Sequence, residues 1–194
     1  PIQLNGTAGA RFTGFGDNSL TGISVSGAGD LNGDGFDDFI IGAYTSNING
    51  TGSGRAFVVY GQAGGFHGGF PASFSLNSLN GTTGFSIAGA AAGDRFGVSV
   101  SGVGDVNGDG FADLLVGAHA ADPASRNSAG ESYLIFGSAT LGSGGTFDLA
   151  TINGVNGVRI RGINPNDYSG FSVSAVGDIN GDGLADLVIG AFQA

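Results

Sequence analysis

One sequence unit occurs three times along this chain of 194 residues, and that repetition constrains the fold more than any other feature. Each copy starts in a short apolar stretch that contains serine and passes through a loop of the form Asp-x-Asn-Gly-Asp-Gly-x-x-Asp. It then enters a second apolar stretch that ends in Gly-Ala; the copies occupy residues 24–43, 99–118 and 172–191. The first Asp of the loop is Asp30, Asp105 or Asp178, so the period is 75 and then 73 residues. Such a period predicts supersecondary units that bury their apolar faces against one another.

The apolar stretches are predicted to be β-strands. They are short, bounded by glycine and rich in β-branched or aromatic residues, and residues 23–26 and 98–101 alternate between apolar and polar side chains. Each unit supplies one strand before the loop, one after it, a third like 57–60 and a fourth like 85–88. Four antiparallel strands per repeat predict an all-β fold of β-propeller blades, and the 41 glycines suit the many tight turns that such a fold needs.

The domain organisation follows from this strand count. We expect eleven strands in one repeat region, with units at about 1–68, 69–142 and 143–194, the last incomplete, so that the chain covers roughly three blades. Because propellers close with about four to eight blades, the ring is expected to be completed by the rest of a longer chain or by other copies. The start at Pro1, without an initiator Met, favours a processed or excised product.

The charge balance excludes some partners. Sixteen acidic residues face six arginines, for a net charge of −10, which argues against nucleic acid and anionic membranes as partners. No apolar run approaches the roughly 20 residues of a membrane span, so membrane insertion is not expected. Ten of the sixteen acidic residues lie in the three loops, a concentration that suits a cation binder. The chain has no cysteine and therefore no disulfide.

The loops carry the donors that calcium prefers. Ca²⁺ takes six to eight oxygen ligands, and a short loop supplies them from alternating side chains and a backbone carbonyl. Positions 1, 3, 5 and 9 offer side-chain oxygens, and position 7 offers its carbonyl. The predicted ligands are Asp30, Asn32, Asp34, Phe36 and Asp38, then Asp105, Asn107, Asp109, Phe111 and Asp113, and finally Asp178, Asn180, Asp182, Leu184 and Asp186. About three calcium ions, one per loop, are expected.

Alternative interpretations of the loops explain less. An EF-hand needs a bidentate acid at position 12, where this chain has Ile41, Val116 or Ile189. Hard oxygen donors disfavour zinc and copper, and magnesium prefers a stiffer site that retains waters. Turn formation alone accounts for the Asn-Gly and Asp-Gly pairs. It does not account for Asp at positions 1 and 9 in all three copies.

These motifs resemble the FG-GAP repeats of the integrin α-chain N-terminal β-propeller, in the longer-period form of bacterial surface proteins. The likeness is strongest in the second copy, where Phe96-Gly97 precedes the loop and Gly117-Ala118 follows it. The outer copies replace Phe-Gly, and the proline of the family motif is Tyr44, His119 or Phe192. The resemblance implies calcium loops between the first two strands of each blade, on the face opposite the one that binds ligand, so that calcium is structural.

No catalytic residue is predicted. His67 and His119 are the only histidines, neither has a nucleophile at a defined spacing, and both are expected in exposed loops. Segments that differ between copies are better candidates for binding, because variable loops on a rigid scaffold commonly carry it. They are expected to gather on one rim, opposite the calcium loops, and they span residues 17–22, 44–53, 91–97, 119–129 and 163–170.

The expected function is therefore that of a non-enzymatic, calcium-binding propeller segment of a secreted or cell-surface protein. It would serve adhesion, protein–protein interaction or surface and filament assembly, with a protein or a glycan of a cell surface or matrix as partner. Two alternatives stay open: a carbohydrate-binding, lectin-like propeller, and an accessory propeller of a larger secreted hydrolase.

Overall fold

The computed structural model describes residues 4–6, 9–14, 18–65 and 69–194. Within these residues the chain forms short β-strands, joined by turns and a few 3₁₀ turns. The strands are β1 (Arg11–Thr13), β2 (Val25–Gly29), β3 (Asp38–Gly42), β4 (Arg55–Val59), β5 (Ser73–Ser75), β6 (Gly84–Ala88), β7 (Ser99–Gly104), β8 (Asp113–Ala118), β9 (Glu131–Ile135), β10 (Thr146–Phe147), β11 (Gly157–Arg161), β12 (Ser172–Gly177) and β13 (Asp186–Gly190). None of the helices found among these residues is long and apolar enough to cross a membrane.

The strands form the blades that the sequence predicts. Strands β2, β3, β4 and β6 pair antiparallel in that order to give the first blade, and β7, β8, β9 and β11 give the second. Strands β12 and β13 pair as the opening hairpin of a third blade. The all-β propeller-blade prediction is thus confirmed, whereas the boundaries of the three repeat units stay a prediction.

Two short strands were not predicted. Strand β5 pairs parallel with β1, and β10 pairs parallel with β6, so each adds to the fourth strand of the preceding unit. A 3₁₀ turn follows each of them and is capped by the preceding residue: the side chain of Ser75 accepts the N–H of Asn77, and that of Asp148 accepts the N–H of Ala150. Strands of two or three residues are too short for a period to show in the sequence.

The core consists of apolar layers between successive sheets. Alternate residues of β4 point to opposite faces: Val58 packs in the layer shared with the second blade, whereas Val59 packs in the layer towards β1 and β5. A further layer, built around Leu115 and Leu134, lies between the second blade and the β12–β13 hairpin. Each complete blade therefore buries both of its faces.

Serine hydroxyls connect the first strands of neighbouring blades. Ser24 Oγ accepts the backbone N–H of Val100 at 3.0 Å, and Ser26 Oγ accepts that of Gly102 at 3.2 Å. Ser101 Oγ repeats the contact with the N–H of Ala175 at 3.2 Å. The first strand lies at the edge of its sheet, where backbone donors lack a ladder partner. The Ser-Val-Ser pattern supplies acceptors for them.

Glycine allows the blades to approach at backbone distance. A Cβ added to Gly102 of β7 would lie 2.4 Å from the carbonyl oxygen of Gly27 and 2.5 Å from Ala28 Cα. Gly27 holds the equivalent position in β2, and a Cβ there would meet no atom within 4 Å among the described residues. The same repeat position is therefore closed in one blade and open in the other.

This difference gives a matched pair of variants. We expect Gly102→Ala to lower the free energy of unfolding by about 2 kcal/mol or more, because the new methyl overpacks against backbone that cannot turn aside. Gly27→Ala should change the free energy of unfolding by less than about 0.5 kcal/mol, because the new methyl group meets no atom at this open site. Urea unfolding of both variants measures the difference; equal losses would contradict this blade spacing.

Candidate metal centres and the opposite rim

The three predicted loops lie at equivalent places in the fold. They connect β2 to β3, β7 to β8 and β12 to β13, so each joins the first two strands of a blade, as the sequence predicts. Just before each loop a β-bulge shifts the register, at Gly29, Gly104 and Gly177, whose φ angles are 67°, 73° and 71°. This conformation favours glycine, and it places the first aspartate of the loop directly after the bend.

The aspartate at position 1 organises its loop by accepting backbone N–H groups. Asp30 Oδ1 accepts from Gly33 at 2.7 Å and from Asp34 at 3.1 Å, and its Oδ2 accepts from Gly35 at 2.8 Å. The other loops repeat this pattern around Asp105 and Asp178. Gly33 and Gly35 have φ of 76° and 87°, which lets the chain turn its amides inward.

The aspartate at position 9 fastens the loop to its blade. Asp38 Oδ2 accepts the N–H of Leu31 at 3.0 Å, and Oδ1 accepts that of Gly61, after β4, at 2.8 Å. Asp113 makes the same two contacts with Val106 at 2.9 Å and Gly137 at 2.8 Å. Both residues are buried, with 2% and 0% of their surface exposed.

In the third loop Asp186 Oδ2 likewise accepts the N–H of Ile179 at 2.9 Å. Its Oδ1 accepts from Asn180 Nδ2 at 3.4 Å, where the other loops use a backbone N–H that follows the third strand.

Burial raises the pKa of both Asp38 and Asp113 to about 6. The backbone N–H donors oppose this shift, while the two neighbouring loop aspartates add to it. At Asp178 the N–H groups of Gly183 and Gly181 instead hold the pKa below its usual range. A buried carboxylate among like charges is stabilised by a nearby cation.

Twelve of the fifteen predicted ligands lie in the three loops, and the other three, Asp38, Asp113 and Asp186, are the first residues of the strands that follow. In the described part of the chain, however, no three aspartate, glutamate or histidine side chains are gathered closely enough to hold a metal ion as they stand. The carboxylates turn to backbone amides, and Asn32 Nδ2 donates to Asp34 Oδ2 at 3.0 Å. The donor set, which is all oxygen, fits calcium by its chemistry, and the metal role of these residues stays a prediction.

Neighbouring loops are also connected, which the sequence analysis missed. The N–H of Ala112 donates to the carbonyl of Asp30 at 3.0 Å, and that of Ala185 donates to Asp105 at 3.0 Å. The side chain at position 7 packs on the preceding loop: a Cβ at Gly33 would lie 2.7 Å from Phe111 Cε1. The large apolar residue that recurs at position 7 of all three loops was the signal for this contact.

The variable segments gather at the opposite end of the blades, as predicted. The N–H groups of Gly93 and Phe96 donate to the carbonyls of Thr51 and Ser53 at 3.0 and 3.1 Å. In the next blade the N–H of Tyr168 donates to the carbonyl of Ser128 at 3.1 Å. We call this end the variable rim; it comprises residues 18–22, 44–53, 91–97, 119–129 and 163–170. Residue 17 of the predicted segments lies outside the described residues.

Three large side chains of this rim stand on left-handed backbone. Leu20, Arg95 and Tyr168 occupy the same repeat position, with φ of 49°, 62° and 52°. A non-glycine residue in this region costs about 1–2 kcal/mol. The chain keeps the strained conformation in each copy while the side chain changes from apolar to basic to aromatic. Strain of this kind clusters at functional sites.

A cavity of about 550 Å³ opens on the rim between the blades. Arg95 lies over the ring of Tyr44, with 5.7 Å from Cζ to the ring centroid, and His119 packs edge-on against Phe171 at 5.2 Å. The other lining residues are Ile23 and Val98. Tyr44 and His119 stand where the family motif has proline, and both face this cavity.

The expectation that His119 is exposed is wrong. Its ring is partly buried against Tyr168 and Phe171, and Nδ1 is enclosed without a hydrogen bond to the described residues. Burial, and then the charge of Arg95, lowers its pKa. His119 directly follows β8, which suggested an exposed strand end, but loops of the rim cover it in the folded chain. His67, the other predicted loop histidine, lies outside the described residues.

Stacked four-stranded antiparallel sheets, with an acidic loop between the first two strands of each, define this chain as a set of β-propeller blades. The FG-GAP repeat matches residues 21–59, 96–135 and 169–193, just over half of the chain. The chain belongs to the FG-GAP repeat family.

A backbone hydrogen bond joins the two halves of the repeat motif. In the second copy the N–H of Gly97 donates to the carbonyl of Gly117 at 2.9 Å. In the first copy Gly22 donates to Gly42 at 2.9 Å, and in the third copy Gly170 donates to Gly190 at 3.0 Å.

Similar proteins include integrin alpha chains. Integrin alpha-5 of Xenopus laevis is 32% identical over 192 residues, which cover 97% of this chain and 16% of that protein. Integrin alpha-6 of Homo sapiens is 29% identical over 186 residues, which cover 94% of this chain and 13% of that protein. Phosphatidylinositol-glycan-specific phospholipase D of Dictyostelium discoideum is 31% identical over 167 residues, which cover 84% of this chain and 17% of that protein. The chain spans less than a fifth of the length of these relatives.

The raised pKa values give a pH prediction for the metal-free chain. In EDTA, the carboxyl carbons of Asp38 and Asp113 should titrate with midpoints near pH 6, whereas Asp178 should titrate below its usual range. Because the folded pKa exceeds the unfolded one, both carboxyls favour folding below about pH 4, and this contribution is lost as the pH rises through 6. Site-resolved NMR titration measures the midpoints; values near 4 for Asp38 and Asp113 would contradict their burial.

The left-handed backbone at Arg95 gives a stability prediction. Arg95→Gly should leave the free energy of unfolding unchanged or raise it by up to about 1 kcal/mol, since glycine adopts this φ without strain. The matched control is Arg126→Gly, where φ is −90° and the change should cost about 0.5–1 kcal/mol. Thermal unfolding of both variants gives the comparison. An equal loss in the two would show that Arg95 is kept for stability rather than for its side chain on the rim.

Proposed function

We propose that this chain is a calcium-binding, non-catalytic β-propeller segment of a secreted or cell-surface protein, acting in adhesion or protein–protein interaction. The observation that carries this proposal is the set of three loops with one hydrogen-bonding pattern, in which oxygen donors recur at positions 1, 3, 5 and 9. A turn needs only some of these residues. A cation site needs all of them.

Electrostatics supports calcium in particular. Each loop carries three ligand carboxylates. Brought within a few Å of one another around a shared site, such charges repel by several kcal/mol at intermediate dielectric unless a cation offsets them. One of the three is buried in both complete blades. Calcium accepts many oxygens in flexible geometry, whereas magnesium prefers a rigid octahedron with water. About three ions, held by the fifteen residues named above, would neutralise the loops.

Calcium here would have a structural role. Asp38 and Asp113 each hydrogen-bond to a backbone N–H just after the third strand of their blade, which fastens the loop to that strand. Neighbouring loops are also joined by backbone hydrogen bonds. An ion that orders one hairpin therefore also orders the start of the next blade. Extracellular calcium modules bind at about 10⁻⁴–10⁻³ M. This range, together with the likeness to integrin alpha chains, supports a location outside the cell.

The variable rim is the proposed interaction surface. It combines the strained residues, the cavity of about 550 Å³ and the sequence differences between copies. A protein partner that covers the rim would contact the side chains of Tyr44, Arg95 and Tyr168, types that are enriched at binding hot spots.

Further strands are expected to complete the propeller. Val188 of β13 exposes 49% of its surface, and Val176 of β12 exposes 40%. In the two complete blades, by contrast, both faces of the sheet are buried. Exposed apolar sheet faces and strand edges are normally covered. The rest of a longer chain, or other copies, would cover them.

An accessory role in a hydrolase is the second candidate, favoured by the likeness to the Dictyostelium phospholipase D. In that case too the chemistry would belong to residues outside this chain. Hydrolysis of a glycosylphosphatidylinositol substrate by the chain itself would overturn the non-catalytic proposal.

The calcium proposal predicts a large effect of chelation on stability. With free calcium at about 100 times its dissociation constant, each site should add about 2.7 kcal/mol to the free energy of unfolding. Thermal unfolding with calcium and with EDTA measures the sum, and an unchanged midpoint would remove the proposal. Titration calorimetry should give about three ions per chain.

Two variants of the first loop separate ligand chemistry from net charge. Asp34→Asn and Asp37→Asn each remove one negative charge, but only Asp34 is a proposed ligand. We expect Asp34→Asn to weaken or lose one of the calcium sites, and Asp37→Asn to retain all of them. Equal effects would mean that the loops attract calcium by charge alone.

A further inference from the structure

A second cavity lies away from both the acidic loops and the variable rim. It has a volume of about 620 Å³ and opens between the outer strands of the two complete blades. One wall comes from β4, β6 and β10, and the other from β11 and the 3₁₀ turn at Leu149–Thr151. Its volume is within the usual range for small-molecule sites, about 300–1,000 Å³.

Two of the six arginines of this acidic chain line that cavity. Arg55 of β4 stands over the ring of Phe57 at 5.5 Å, and Arg159 of β11 stands over that of Tyr133 at 5.6 Å. Burial lowers the pKa of Arg55. Two guanidinium groups in one partly buried cavity raise its affinity for an anion.

Arg159 has unused donor capacity. Its Nη2 donates to the carbonyl of Leu149 at 2.5 Å, while Nε is buried without a hydrogen bond to the described residues. Arg161, two residues further along β11, instead forms an ion pair with Glu131, with 3.2 Å between Nε and Oε1. The carboxylate that lines the cavity is that of Asp148, whose Oδ1 accepts the N–H of Ala150 at 2.8 Å.

Around the arginines the cavity is lined by hydroxyl groups, an amide side chain and an aromatic ring. Asn49 uses its Nδ2 on the carbonyl of Gly89 at 2.9 Å, which leaves Oδ1 as an acceptor towards a ligand. Ser86 and Thr146 are neighbours in the β6–β10 pair, and Phe147 adds an aromatic ring. A bare inorganic anion would need none of these groups. A polyol with one negative charge would use them all.

We propose that this interblade cavity binds an acidic sugar, a hexuronic acid unit, with its carboxylate on Arg55 and Arg159 and its hydroxyls on Asn49 and Asp148. A guanidinium group binds a carboxylate through two parallel hydrogen bonds, so it recognises the planar shape of the carboxylate as well as its charge. A glycan on a cell surface or in a matrix would present such a unit. The proposal stands on this cavity alone and does not depend on the calcium loops.

The test uses the whole chain in calcium-containing buffer, with D-glucuronate as the probe and binding followed by NMR chemical shifts. We expect Arg159→Gln and Arg55→Gln to weaken binding at least tenfold. Arg161→Gln, on the same strand but outside the cavity, is the matched control and should bind as the parent chain does. Equal losses in Arg159→Gln and Arg161→Gln would overturn the site.

Two further probes separate a sugar site from a plain anion site. D-glucose lacks the carboxylate and should bind at least tenfold more weakly than glucuronate; inorganic sulfate, which lacks the hydroxyls, should also bind at least tenfold more weakly. Sulfate binding as tight as that of glucuronate would overturn the sugar assignment, and no glucuronate binding would overturn the proposal.

Because Arg159 packs on Tyr133, Asn49→Ala serves as a second variant at an exposed position. It should weaken glucuronate binding several-fold while the chain stays folded at the temperature of the binding experiment, which thermal unfolding of the variant checks. An unchanged affinity in Asn49→Ala would contradict the hydroxyl contacts.

Discussion

The rest of the structure depends on the close approach of successive blades at their first strands. Gly102 lies so near the backbone of the preceding blade that a methyl group would fall 2.4 Å from a carbonyl oxygen. At this distance serine hydroxyls of one blade reach backbone N–H groups of the next, and the acidic loops bond to one another. Apolar layers then fill the space between sheets that diverge towards their outer strands. The interblade cavity lies at those outer strands.

The two ends of the blades have opposite physical characters. At one end the loops are nearly identical, rich in glycine and acid, and organised by aspartates that collect backbone amides. At the other end the loops differ between copies and hold Leu20, Arg95 and Tyr168 on strained backbone. The first arrangement suits a component that stabilises the fold and the second suits recognition, because only the second changes its chemistry from blade to blade while it keeps its geometry.

Much of the acidic end was predictable, whereas at the rim the position of the segments was predictable and their side-chain contacts were not. The spacing of Asp30 and Asp38 placed both in one hairpin, because a loop of this length between two strands leaves no other geometry. The contact of Phe111 with the preceding loop was missed, since it joins residues far apart in the chain. His119 was wrongly expected to be exposed, because its burial comes from Tyr168 and Phe171 of the following repeat. The parallel strands β5 and β10 are too short to leave a period.

The sequence by itself determined the repeat, the four antiparallel strands of each blade and the position of every acidic loop. These properties are local: a period of two, a glycine at a bend and an aspartate at a fixed spacing act within a few residues of one another. Only the tertiary structure decided which side chains meet between blades. It brought Arg55 and Arg159 to one cavity and Tyr44 and Arg95 to another, across separations of 104 and 51 residues. Such meetings depend on how far apart and at what angle the sheets stack, and no single segment encodes either quantity.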